Sequence, residues 1–171
     1  MFKNEILWFV LKAFFIFILW YLIYELWILP NEWIDKPLSK NIAAISAGVL
    51  SMFGYEVELF DRVVSILGAP GIEIVNGCNG ISAIGLFIGF IVAFPGKDNI
   101  KVPFMILGVM LIYLVNIVRI IVLAITQAQY PKAFEVTHDY STTTIFYFVI
   151  FALWVLWVNI STENASVKKS N

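Results

Sequence analysis

Residues 115–127 read VNIVRIIVLAITQ and place an asparagine and an arginine inside an otherwise apolar run. The run extends from Val102 to Gln127, which is long enough to cross the hydrocarbon of a bilayer as a helix. At 1.5 Å of rise per residue, Arg119 lies about 12 Å from the carboxyl end of that helix. A charge at that depth is costly, so it indicates either a functional role or a structural partner such as Glu25 or a lipid headgroup.

The polar residues of this helix lie on one side. At 100° per residue, Asn116, Arg119, Leu123, Thr126 and Gln127 share one sector of about 100°. The pattern predicts a polar stripe that faces a water-filled cleft.

The composition of the whole chain supports a membrane environment. Of its 171 residues, 61% are hydrophobic and 13% are charged, which is more apolar than a soluble domain. A formal net charge of -1 gives no sign of a nucleic-acid partner. One cysteine and one histidine provide neither an internal disulfide nor a usual zinc site, so no metal or other cofactor is expected.

The expected fold is an all-α polytopic membrane protein with about four transmembrane helices in a single domain, residues 1–171. The predicted spans are Leu7–Leu29, Ile81–Phe94, Val102–Gln127 and Thr143–Ile160. The second is short and spans only if its flanks contribute. The first is interpreted as a retained anchor because it is too long for a signal peptide. A polar tail, residues 161–171, follows the last span.

The distribution of lysine and arginine predicts the orientation. Six lysines lie at the two ends of the chain and in the second connection, against three acidic residues. The two other connections carry four basic and eight acidic residues. The positive-inside rule then makes both termini and the tail cytoplasmic, and it makes 31–80 and 128–142 external.

The first external region has its own secondary structure. Pro37–Phe53 is predicted to form an amphipathic helix along the membrane surface, because Ile42, Ile45, Val49 and Met52 recur at helical spacing. The alternating residues 55–60, a turn at 61–62 and the β-branched residues that follow predict two or three short strands.

The segment VNGCNG, residues 75–80, joins these strands to the second span and contains Cys78. A thiolate at a helix amino terminus is stabilised by the helix dipole. The amides of Asn79, Gly80 and Ile81 could bind an oxyanion there, and the flanking glycines would let a substrate backbone approach. Cys78 is therefore a candidate nucleophile, and a small buried apolar residue is the alternative.

The chain's one histidine lies in THDYSTTT, residues 137–144. His138 is the residue best suited to act as a general base near neutral pH, although loop histidines are usually solvated. Asp139 could orient the imidazole, or it could cap the last span together with Ser141 and Thr142.

These residues resemble the motifs of the exosortase and archaeosortase family. The resemblance lies in Cys78-Asn79-Gly80-Ile81 before one helix, Asn116-Ile117-Val118-Arg119 inside the next, and His138 before the last. It covers about residues 37–160. Asn79 stands where serine is frequent in the family, and fuller members have more spans, so the chain resembles a short form.

The resemblance implies a membrane-embedded cysteine protease and transpeptidase. Its partners would be exported proteins with a carboxyl-terminal sorting signal, made of a motif, a transmembrane helix and a basic tail, together with a surface acceptor. Cys78 would form a thioester, His138 would transfer protons and Arg119 would stabilise charge; Asn116, Asn79, Gly80 and Asp139 would support them. The alternative is a non-catalytic membrane subunit or scaffold whose Arg119 binds a lipid headgroup or a partner helix.

Overall fold

The computed structural model describes residues 2–140 and 144–170 as a mostly helical chain with one small sheet. In chain order the elements are α1 (Phe2–Ile23), a π-helical turn (Tyr24–Ile28), α2 (Leu29–Asn31), α3 (Asp35–Met52), β1 (Val57–Phe60), β2 (Val63–Ile66), β3 (Ile72–Glu73), α4 (Ile81–Ala93), α5 (Asp98–Gln129), a 3-10 turn (Pro131–Ala133), α6 (Phe134–Tyr140) and α7 (Phe146–Ser170).

Helices α1, α4, α5 and α7 form a helix bundle with α4 packed against the other three. Glycines let the helices approach, because the Trp20 ring of α1 lies over Gly85 and the Phe87 ring of α4 lies over Gly108 of α5. Gly89 lies against Ile16 of α1, so Gly85 and Gly89 form one packing face, and their i, i+4 spacing is typical of such faces. The core of the bundle consists of Phe87, Ile91, Ile112, Phe146, Ile150, Leu153 and Trp157.

In the part of the chain that the structure describes, two helical segments are long and apolar enough to cross a membrane, Ile6–Asn31 and Asp98–Gln129. Helix α4 has 13 residues, so it is about 20 Å long against a hydrocarbon core of about 30 Å. Phe146–Thr162 of α7 is also a shorter apolar helix. The expectation of a mostly helical chain is thus confirmed and two long apolar helices are consistent with a membrane protein, whereas the crossing of the membrane by all four helices stays a prediction.

The predicted strands form a three-stranded antiparallel sheet in the order β1-β2-β3. A two-residue turn at 61–62 joins the first two strands, as the sequence predicts, and Val64 lies opposite Ile72 in the second pair. Lys40 of α3 forms an ion pair of 2.5 Å with Asp61 of the turn. The hydrogen bond from Lys40 holds the pKa of the Asp61 carboxyl below its ordinary value.

Helix α3 forms a second layer with the sheet, which we call the helix–sheet layer. The bounds of α3 lie close to the predicted Pro37–Phe53, but α3 buries a different face from the predicted apolar one. Ile42 is buried, whereas Ile45 is 39% exposed and Met52 is 87% exposed. The buried face also contains Ala43, Ser46, Ala47 and Leu50. Small side chains let α3 pack closely on the sheet and α5, which leaves the larger apolar ones outside.

Helix α5 connects the two layers. Gly108 and Ile112 pack in the bundle, whereas 117–124 contributes four side chains to the core of the helix–sheet layer. Asn116 and Arg119 lie between these two apolar regions, and both are buried. These two buried polar residues of α5 are therefore found where the two layers meet.

Candidate active site

A cleft of about 410 Å³ lies where α1, α4 and α7 meet the loop before α4. One part of its wall is aromatic or aliphatic and is formed by Phe17, Trp20, Tyr21, Ala83, Leu86, Phe146, Tyr147 and Ile150. The other part is small or polar and is formed by Tyr24, Glu25, Gly77, Cys78, Gly80, Ser82 and Arg119. The shape and lining of the cleft thus suit a mostly apolar polypeptide segment, with Cys78 and Arg119 at one part of the wall.

The loop that carries Cys78 has a conformation that requires glycine. Gly77 has φ 82° and Gly80 has φ 86°, values that a residue with a Cβ rarely adopts. The Cys78 amide donates to the carbonyl of Val75 at 3.0 Å, which closes a tight turn before the cysteine. Cys78 is half-buried and lines the cleft.

Asn79 connects this loop to α4. Its Oδ1 accepts a hydrogen bond of 3.1 Å from the Ile81 amide, the first of the helix. The Ile81 amide is therefore already engaged, unlike in the sequence-based expectation that it could bind an oxyanion. Among the described residues, the amides of Asn79 and Gly80 donate to no backbone carbonyl. These two amides therefore remain candidates for binding an oxyanion.

Arg119 is 4% exposed and lies directly beside the Cys78 loop. Its Nη1 donates to the carbonyl oxygen of Cys78 at 3.1 Å and to Asn116 Oδ1 at 3.2 Å. The guanidinium carbon lies 5.8 Å from the centroid of the Phe146 ring, within range of a cation–π contact. Glu25, the partner considered from the sequence, lines the same cleft. The structure thus brings Cys78, Asn116 and Arg119 together.

Asp35 is a residue of this region that the sequence analysis did not identify. It is fully buried, and its Oδ1 accepts from Asn79 Nδ2 at 2.8 Å, from Tyr24 Oη at 3.1 Å and from the Gly77 amide at 3.4 Å. In the sequence it reads as one of many acidic residues in an external connection. No periodic pattern marks it, because its partners come from distant parts of the chain.

A second polar network lies on the other side of the loop. Arg62 Nη1 donates to Asn76 Oδ1 at 2.8 Å, and Asn76 Nδ2 donates to Glu32 Oε1 at 2.7 Å. Arg62 Nε also donates to Glu73 Oε1 at 3.0 Å. These bonds connect the sheet, the loop and the end of the first helical segment.

His138 lies in α6, is half-buried, and has its ring 5.9 Å from the Phe134 ring. The residues that line the cleft in the described part of the chain do not include it, so its approach to Cys78 stays a prediction. The side chain of Asp139, together with Ser141 and Thr142, lies outside the described residues. Within the described ranges, no group of three His, Cys, Asp or Glu side chains could hold a metal ion.

The apolar helices are those of an integral membrane protein, and the cleft between them contains a thiol and a buried guanidinium, two groups suited to catalysis. The family model described as transmembrane exosortase matches residues 2–155. The chain therefore belongs to the transmembrane exosortase family, as its motifs indicate. No curated protein and no solved structure matches it.

Proposed function

We propose that the chain is a cysteine peptidase and transpeptidase that cleaves carboxyl-terminal sorting signals of exported proteins. Membership of the exosortase family supports a sorting transpeptidase. The observation that carries the proposal is that Cys78 and Arg119 line one cleft, with the guanidinium bonded to the cysteine's own carbonyl. A thiol next to a fixed positive charge in a partly apolar cleft suits acyl transfer.

The reaction proceeds through a thioester. His138 accepts the thiol proton, and Cys78 Sγ attacks the scissile carbonyl carbon to form a C–S bond while the carbonyl oxygen becomes an oxyanion. When the oxyanion collapses, the C–N bond breaks and the leaving amine takes the proton from His138. Water or an acceptor amine then attacks the thioester, and the sulfur leaves and is protonated again.

Arg119 stabilises the charge that develops at the substrate oxygen. Its bonds to Asn116 and to the Cys78 carbonyl fix the orientation of the guanidinium before the substrate arrives. Such a preorganised charge acts strongly where little water is present. The amides of Asn79 and Gly80 are the second source of donors for the oxyanion.

The depth of the site is consistent with a reaction inside the membrane. If the carboxyl end of α4 lies at the cytoplasmic surface of the hydrocarbon core, its amino end next to Cys78 lies about 10 Å below the outer surface, because α4 is about 20 Å long. Arg119 lies ten residues before the carboxyl end of α5, which is about 15 Å by the same rise. Cys78 and Arg119 thus have similar depths when α5 ends at the outer surface, four helices cross the membrane, both termini are cytoplasmic and the helix–sheet layer lies outside.

The test is to replace Cys78 with Ala and to follow an exported host protein that carries a sorting signal. We expect its precursor to accumulate while the variant remains in the membrane at the normal amount, both measured by immunoblotting. Ser51→Ala, an exposed change on α3, is the control and should process normally. Normal processing by Cys78→Ala would contradict the proposal and favour a non-catalytic scaffold.

A further inference from the structure

The two residues adjacent to Cys78 are both bound to one carboxylate oxygen. The Gly77 amide and Asn79 Nδ2 both donate to Asp35 Oδ1. A buried carboxylate requires such donors because it has lost its contact with water. Asp35 Oδ2 has no hydrogen-bond partner among the described residues. Asn79 Nδ2 also donates, at longer distance, to the Asp35 carbonyl oxygen at 3.3 Å and to Ser39 Oγ at 3.5 Å. The carboxylate itself therefore holds the loop through Oδ1.

This hold is needed because the loop is intrinsically free to move. Glycine at 77 and at 80 permits the left-handed conformation, but it also gives the unbound loop more backbone freedom than other residues would. The carboxylate restricts the backbone on both sides of the cysteine. Without it, the loop would be held by the bonds from Arg119 to the Cys78 carbonyl and from Arg62 to Asn76, and we expect the thiol to be less well fixed.

The third donor to Asp35 connects the carboxylate to the wall of the cleft. Tyr24 donates its hydroxyl to Oδ1 and also lines the cleft. It belongs to the π-helical turn, and the Trp20 ring stacks on it at 5.9 Å between centroids. Such turns are frequent at functional sites. A substrate that contacts this wall therefore touches a residue bonded to Asp35.

We propose that Asp35 is a positioning residue, which fixes the place of the Cys78 thiol in the cleft through Gly77 and Asn79. Tyr24 extends this hold to the substrate-binding wall. The inference rests on the proposed function in one respect, namely that Cys78 is the nucleophile. Asp35 itself touches neither the substrate nor the reacting atoms.

The experiment measures the reactivity of the thiol in Asp35→Asn. Cys78 is the chain's one cysteine, so the rate of alkylation by N-ethylmaleimide in the purified full-length protein reports on this residue alone. Asparagine has nearly the same shape as aspartate but no charge, so the three hydrogen bonds to its oxygen lose the charge assistance that a carboxylate gives them. We expect alkylation to become about tenfold faster as the loop opens locally, and processing to become about tenfold slower.

Two further variants separate positioning from general stability. Asp61→Asn removes a carboxylate at the surface turn and should leave both rates within about twofold. Asp35→Asn combined with Asn79→Asp exchanges donor and acceptor, and Asp at 79 still accepts from the Ile81 amide. The double variant should move both rates at least about threefold back towards the wild-type values, because the two residues interact directly.

If Asp35→Asn were alkylated and processed its substrate at the wild-type rates per molecule, the inference would be overturned, even if less of the variant accumulated. A double variant that behaved no better than the single one would also overturn it. The alkylation assay needs no substrate. Failure of the peptidase proposal would be seen instead in Cys78→Ala, so the two failures can be told apart.

Discussion

Arg119 and Cys78, 41 residues apart in sequence, are joined by a hydrogen bond of 3.1 Å from the guanidinium Nη1 to the cysteine carbonyl oxygen. The bond links the middle of α5 to the loop before α4, so the position of the arginine and that of the thiol depend on each other. It also accounts for a charge inside an apolar helix, because the buried guanidinium is held by polar groups of the site.

Replacing Arg119 with Lys tests whether the planar guanidinium is needed. Lysine keeps the charge but cannot bind Asn116, the Cys78 carbonyl and an oxyanion in fixed directions. We expect processing to fall by about 100-fold or more, as for the loss of an oxyanion donor. Arg62→Lys changes the chain's other arginine and is the control, with a much smaller effect. Equal rates in wild type and Arg119→Lys would mean that the arginine is only structural.

Replacing His138 with Ala tests the proposed proton transfer. Loss of a general base typically reduces a rate by about 100- to 10,000-fold, and we expect a decrease in this range in a processing assay. Glu135→Gln changes an exposed side chain of the same helix and should process normally. If His138→Ala retained most of the activity, another group would have to accept the thiol proton.

Replacing Gly80 with Ala tests the conformation of the loop. A Cβ at φ 86° is strained, and it would also lie against Asn116 and Phe146. We expect a loss of about 1–2 kcal/mol in the free energy of unfolding and slower processing.

Gly48→Ala is the matched control, because Gly48 lies in α3 with open space around it. Alanine in a helix interior should stabilise the protein by up to about 1 kcal/mol. Thermal unfolding of both variants in detergent measures the difference. Equal stability of the two variants would contradict the described loop.

The orientation in the membrane is tested by single cysteines in a Cys78→Ala background. Lys132→Cys lies beyond α5 and Lys97→Cys lies between α4 and α5, and both positions are exposed. In intact cells an impermeant maleimide should label position 132 but not 97, and opening the membrane should expose 97. The reverse pattern would invert the proposed topology.

The sequence was sufficient to predict the elements but not their contacts. Helices, strands and the turn at 61–62 follow from local patterns. The buried face of α3 was not predictable, because Ala43, Ser46 and Ala47 are buried for their small size and not for their hydrophobicity.

The site was predicted only in part, because the sequence shows unusual residues but not the contacts between distant ones. Cys78, Asn116 and Arg119 stand out as a rare thiol and as polar residues in an apolar run. Asp35 and Tyr24 do not stand out, because an aspartate in an acidic region and a tyrosine at a helix end are common. Their importance follows from partners 42 and 11 residues away, which periodicity does not reveal.

The central claim, that Cys78 becomes covalently bonded to the substrate, is tested most directly by trapping the intermediate. Membranes that hold the full-length chain and its exported substrate are acid-quenched and analysed by mass spectrometry. We predict a substrate fragment attached to the Cys78 peptide through a bond that hydroxylamine cleaves, and no such adduct in Cys78→Ala. Processing that proceeds without a Cys78 adduct, or an adduct that persists in Cys78→Ala, would contradict the account.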